Sequence, residues 1–162
     1  AMIAGKRAVP IALLAIWVVV AALEITKAVH IDDAAYLEIA NLRHHRMRIT
    51  LDGVTTEQEV TLVAVGNSTR YGGGMLIAPG ADLTDGVFEV VVADAMTRAT
   101  LVRLKPQVRA GTHVRHPQVH VHRAATVTLD APDLPAYADG EPIGVLPVTT
   151  TCVPAAMRVL VP

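Results

Sequence analysis

Aromatic side chains are scarce: the 162 residues include one Trp, three Tyr and one Phe, so a binding surface built from stacked aromatic rings has little material. A single cysteine, Cys152, excludes an internal disulfide and a thiolate metal cluster. Within "TTTCVP" it reads as a small apolar strand residue, and cytoplasmic chemistry is the default. A formal charge of −1 removes any global electrostatic case for nucleic acid as a partner. Internal repeats and low-complexity tracts are missing as well. What is present is a chain that is 52% hydrophobic and prominent in Val and Ala, a composition suited to a β-branched core. Its length allows one ordinary domain, or one domain and an appendage.

The texture changes between Arg43 and Arg48, which divides the chain into residues 1–46 and residues 47–162. In the first part, Ala8 to Leu23 carries no charge and follows Lys6 and Arg7. That run is somewhat shorter than the roughly 20 residues of a spanning helix, although Ile25 and its neighbours extend it past Glu24. A membrane anchor and a buried or interfacial helix both fit, and both predict an apolar helix here. "DDAAYLEIANLRHH", from Asp32, predicts a further short helix with apolar Ala35, Leu37, Ile39 and Leu42.

From Met47 the pattern is of strands between turn signals. "RMRITLDG" stops on Asp52-Gly53 and "EQEVTLVAVGN" resumes, a hairpin. A third strand, "VFEVVVA", starts at Val87 after Asp85-Gly86. "AMTRATLVRLKPQVRAG" predicts one interposed helix with Leu101 and Leu104 on a face, Pro106 interrupting it and Gly111 ending it. The remainder reads as three or four more short strands. The expected fold is mainly β, an antiparallel sandwich or barrel.

Four stretches could carry chemistry. Gly72, Gly73 and Gly74 let a ligand or another segment approach the backbone, but the Lys-Ser/Thr of a phosphate-cradling loop is missing. "PGADLTDG" places Asp82 and Asp85 in a tight loop; this suits either a hard cation such as Mg²⁺ or a turn capped by its own Asp side chains. In "AYADGEPIG" the Asp139-Gly140 pair makes a turn, and Glu141 is either the solvated first residue of the return strand or a carboxylate held on a rigid turn to handle a proton. His113, His116, His120 and His122 crowd together at spacings that can ligate zinc, yet without Cys a solvated strand face is the favoured reading, with His120 and His122 on the side opposite Val119 and Val121.

"VGNSTRYGGGMLIAPGADLTDGVFEV", "GTHVRHPQVHVHRAATVTLDAP", "YADGEPIG" and "LPVTTTCVPAAMRVLVP" occur in an order that resembles the carboxy-terminal domain of the diacylglycerol kinase family, bacterial lipid kinases also similar to sphingosine kinases. The resemblance implies a β-sandwich that contributes lipid binding and part of an active site. Its ATP-binding partner is an α/β domain carrying Gly-Gly-Asp-Gly-Thr. Nothing in residues 1 to 46 resembles that signature, so the ATP co-substrate is expected on a domain absent from this chain. The resemblance places a structural Mg²⁺ at Asp82, Asp85 and Val87, the proton acceptor at Glu141 with Asp139 beside it, and a backbone loop at Gly72 to Gly74. It implies phosphorylation of diacylglycerol or a related lipid alcohol to phosphatidate in phospholipid metabolism. It also implies peripheral membrane contact from the cytoplasm and a possible homodimer, since family members often dimerise. A membrane-associated lipid-binding sandwich without catalysis, or a truncated kinase fragment, is the alternative.

Overall fold

The computed structural model describes residues 8–13, 18–20, 43–71 and 74–160. In chain order its strands are β1 (Ala8–Leu13), β2 (Val18–Val20), β3 (His45–Leu51), β4 (Val54–Gly66) and β5 (Phe88–Asp94). Helix α1 (Arg98–Ala110) follows, then a short 3₁₀ turn (His113–Arg115). The remaining strands are β6 (Val119–Ala124), β7 (Thr126–Asp130), β8 (Pro135–Ala138), β9 (Glu141–Val145), β10 (Val148–Thr151) and β11 (Val153–Leu160). The mainly β, antiparallel expectation holds, with one interposed helix.

Seven strands form the main sheet in the order β10-β7-β3-β4-β5-β6, with β2 also paired to β4. Strand β4 makes this possible by its length of 13 residues. Its first half pairs with β3, Val63 to Val65 pair with β2 along the same edge, and β5 runs along the opposite edge. The β3-β4 turn places Asp52 and Gly53 at φ 46° and 88°. Positive φ at both central residues gives the hairpin turn whose twist matches that of the flanking strands.

Both faces of the sheet are covered. On one, Met47, Ile49, Val63, Val65, Phe88, Val90, Val92, Val127 and Leu129 pack with Leu134, Ala136 and Leu146 from around β8 and β9. On the other, Ala64, Val91, Ala93 and Val119 pack with Met96, Leu104 of α1, and Ile77 and Ala78. Val60 and Val63 share a face although they are an odd number of residues apart. The register shift between Val60 and Leu62 explains it: one extra residue, Thr61, resets the alternation, and its hydroxyl accepts the Met96 N–H at 3.0 Å. Phe88, 2% exposed, is the largest fully buried side chain among the described residues. Burial of such a side chain contributes about 1.5–3 kcal/mol.

Local expectations change in three places: the apolar run, Pro106 and the number of strands after α1. The apolar run does not form the expected helix where it is described: residues 8–13 pair with β11 and residues 18–20 with β4. Its β-branched residues and Pro10 favour extended backbone, a preference that absence of charge alone does not reveal. Among the described residues no helix is long and apolar enough to cross a membrane. The short helix expected from Asp32 lies mostly outside the described residues, and His45 already belongs to β3. Pro106 sits inside α1 rather than interrupting it. It removes only the bond to the carbonyl of Val102, a residue on the exposed side of the helix. The end of α1 follows its sequence signal, with Gly111 left-handed at φ 69°, and at its start Thr97 Oγ1 accepts from Thr100 N–H. Beyond α1 the chain makes six strands instead of three or four.

Candidate functional site

The acidic loop between Gly80 and Phe88 is closed by its own carboxylates. Asp82 Oδ1 accepts both the Thr84 N–H, at 2.8 Å, and the Thr84 hydroxyl, at 2.7 Å. These bonds favour the ionised form and hold the Asp82 carboxyl below its ordinary pKa, the hydroxyl contributing most. Asp85 Oδ1 accepts the Val87 N–H at 2.9 Å, and its Oδ2 pairs with Arg123 of β6. Thus Asp82, Asp85 and Val87 do share one loop, and each Asp also caps a turn in it. Gly86, at φ 77°, lies against Pro154 of β11. The loop offers only oxygen donors, carboxylates and main-chain carbonyls, which is the chemistry of a hard cation. Among the described residues no group of three or more His, Cys, Asp or Glu side chains gathers as a metal cluster.

The segment that leads into this loop is held from several sides. Leu76 N–H donates to the Val108 carbonyl at 3.1 Å, which ties it to the end of α1. Nε2 of His113, buried in the 3₁₀ turn, lies 3.0 Å from the Ile77 carbonyl. Burial lowers the pKa of His113 and outweighs the main-chain contact at Ile77, which acts the other way. Glu89 Oε1 accepts the Gly80 N–H at 3.1 Å. Glu89 is 6% exposed, and desolvation raises its pKa against the opposing effect of that hydrogen bond.

Glu141 is in a different sheet. Asp139 and Gly140 form a second turn with positive φ, 50° and 87°, and Glu141 opens β9 directly opposite Ala138 of β8. Every residue of β9 is exposed, Ile143 and Val145 at 47% and 63%. Glu141 is therefore the exposed first residue of a return strand, directly after the turn; Asp139 is the left-handed turn residue before Gly140.

Gly72 and Gly73 lie outside the described residues. Gly74 takes φ 75°, its carbonyl accepts from Arg70 Nη1 at 3.1 Å, and Tyr71 and Met75 exchange main-chain hydrogen bonds of 3.0 and 3.2 Å. His120 and His122 do share a face, opposite Val92 and Val90, and both are exposed. His120 Nε2 pairs with Asp94 Oδ2 at 2.8 Å, whereas His113 is buried, so the histidines are divided among different environments. An open cleft of about 500 Å³ beside His44, His45, Arg46, Arg48 and Asp130 includes none of the residues named for the site.

Sequence reasoning passed over Glu89, Arg123 and Asn67. Glu89 was visible as the one charge within "VFEVVVA". Asn67 is wholly buried and accepts the Cys152 thiol at 3.9 Å; it stood next to the glycine loop in "GNS". Cys152 itself is buried, which raises its pKa and fits its reading as an apolar strand residue.

The geometry has counterparts. The family model described as "YegS C-terminal NAD kinase beta sandwich-like domain" matches residues 17–161. The chain is 40% identical over 132 residues to a diacylglycerol kinase of Mycobacterium tuberculosis (strain ATCC 25618 / H37Rv), covering 80% of this chain and 42% of that protein. It is 29% identical over 102 residues to a diacylglycerol kinase of Staphylococcus carnosus (strain TM300), covering 62% of this chain and 33% of that one. Among solved structures, a candidate diacylglycerol kinase from Bacillus anthracis str. Sterne superposes with a TM-score of 0.71 at 15% identity, covering 96% of this chain and 57% of that one. That likeness is one of fold. The chain spans less than half the length of the two curated relatives. With a model match over most of its length, the chain belongs to the family of YegS C-terminal, NAD kinase beta sandwich-like domains.

Proposed function

We propose that this chain is the lipid-facing portion of an ATP-dependent lipid kinase acting on diacylglycerol or a related lipid alcohol, with Glu141 as proton acceptor. The observation that carries the reading is the placement of Glu141. A two-residue turn holds it at the start of a strand whose Ile143 and Val145 are exposed. A carboxylate beside exposed apolar side chains can meet the hydroxyl and the acyl chains of an amphiphile together. The names of the curated relatives support the substrate class.

In this reading the lipid hydroxyl oxygen attacks the γ-phosphorus of ATP. Its proton passes to Glu141, the bond from γ-phosphorus to the bridging oxygen breaks, and ADP leaves. Such a transfer needs positioning and charge neutralisation more than covalent help, and an aligned carboxylate supplies the first. ATP would be held by a separate domain with the Gly-Gly-Asp-Gly-Thr signature. Mg²⁺ fits the oxygen donors of Asp82, Asp85 and the Val87 carbonyl, where it would supply positive charge and share Asp85 with Arg123. The substrate resides in a bilayer, so contact with a membrane surface belongs to the same reading.

The test is reconstitution. Purified chain is mixed with the separately expressed ATP-binding domain of a relative, and ³²P transfer from ATP to diacylglycerol in vesicles is measured. Transfer that requires both parts supports the reading. Complete lack of transfer in every mixture, with both parts folded, contradicts it and leaves a lipid-binding sandwich without catalysis.

A further inference from the structure

Glu89 of β5 and Arg123 of β6 are directly opposed partners in the sheet. Both lie on the face that carries Val91, Ala93 and Val119, since side chains alternate along each strand. From this one row they reach the two ends of the acidic loop. Glu89 takes the Gly80 N–H, and Arg123 takes the Asp85 carboxylate. On the other side of Glu89 the row continues with Gly66 of β4, which brings no side chain.

The contact with Gly80 is close: a Cβ added there would meet the end of the Glu89 side chain, so the carboxylate would have to shift to admit any other residue. The segment before Gly80 is separately fixed, by His113 at Ile77 and by Gly111, whose own added Cβ would meet Leu76 and Pro79 at 3.3 Å. The chain therefore enters the loop from an anchored segment and leaves it into β5. A buried carboxylate is an expensive way to satisfy one main-chain N–H, since its charge loses hydration for a single hydrogen bond.

We propose that Glu89 and Arg123 act as a two-point clamp that positions the Asp82–Val87 loop, Glu89 at its entrance and Arg123 at its exit. As positioning residues of a lipid-kinase site they rest on the function proposed above; as a clamp on the loop they do not.

Residue-resolved amide exchange of the whole chain tests the clamp, without ATP or lipid. The reporters are the Thr84 and Val87 N–H groups, whose acceptors are Asp82 and Asp85. Glu89→Ala and Arg123→Ala are each expected to speed exchange at these two amides at least tenfold, with the sheet amides of Val63 and Val91 within twofold of wild type. Glu89→Gln, which keeps an oxygen to accept from Gly80, is expected to restore wild-type rates. Unmoved loop amides in Arg123→Ala, or loop and sheet amides that speed up together in either variant, would overturn the clamp. Should Glu89→Ala fail to fold, Arg123→Ala and Glu89→Gln still decide the matter, because Arg123 is largely exposed and Gln is isosteric with Glu. A kinase assay that shows no transfer would defeat the proposed function and leave the exchange result standing; unmoved loop amides would defeat the clamp and leave the kinase reading standing.

Discussion

Glu89 and Arg123 face each other across β5 and β6, and each holds one end of the same loop: Glu89 at the Gly80 N–H, 3.1 Å away, and Arg123 at Asp85. The sheet is thereby continuous, in hydrogen bonds, with the loop that carries the candidate metal donors.

Gly80 should be intolerant of the smallest side chain. Its φ is not in the left-handed region, so the penalty of Gly80→Ala is steric, arising from collision with the Glu89 carboxylate. Overpacking of this kind costs about 1–3 kcal/mol. Urea denaturation should show that loss in Gly80→Ala, whereas the double variant Gly80→Ala/Glu89→Ala should recover part of it. No recovery would mean that the two residues are not the colliding pair.

The core facing β8 and β9 depends on Phe88, which touches a cluster spread over β3, β4, β5 and β7. Phe88→Ala removes its ring from a closed site and should cost about 3–5 kcal/mol. The midpoint of denaturation should fall by the corresponding amount with an unchanged slope. A loss below about 1 kcal/mol would show that the site collapses around the missing ring or that Phe88 is not central.

His113 makes stability depend on pH. Burial depresses its pKa from the ordinary 6.5, so below that value the unfolded chain binds a proton that the folded chain resists. The contribution of the neutral ring is present above pH 6.5 and is lost as the pH falls through it, by up to about 1.4 kcal/mol per pH unit. Unfolding free energies of wild type and His113→Gln, measured from pH 7.5 to 5, should therefore converge toward the acid end. A difference that stays constant across the range would remove His113 as the group responsible.

Reading the sequence was most successful where chemistry was local. Asp52-Gly53 and Asp139-Gly140 announced their hairpins, and Gly111 announced the end of α1, because turn and cap geometry is set by a few adjacent residues. The run from Ala8 was misread because an uncharged stretch suits a buried strand as well as a helix; only its β-branched residues distinguish the two. The bulge at Thr61 and the burial of Glu89 depend on partners 9 to 35 residues away, Gly80 and Met96. No local pattern encodes such pairings. For the site, the loop and the turn were legible, but the clamp that joins the loop to the sheet was not.

The central claim is that Glu141 accepts the proton of the lipid hydroxyl, and the most direct test is the rate of phosphoryl transfer to diacylglycerol by the reconstituted enzyme carrying Glu141→Gln. This substitution keeps the size and turn position of the side chain while removing its ability to take a proton. Loss of a positioned general base predicts a fall in kcat of about 10²–10⁴-fold, with KM for the lipid nearly unchanged. A kcat within a few-fold of wild type would contradict the assignment.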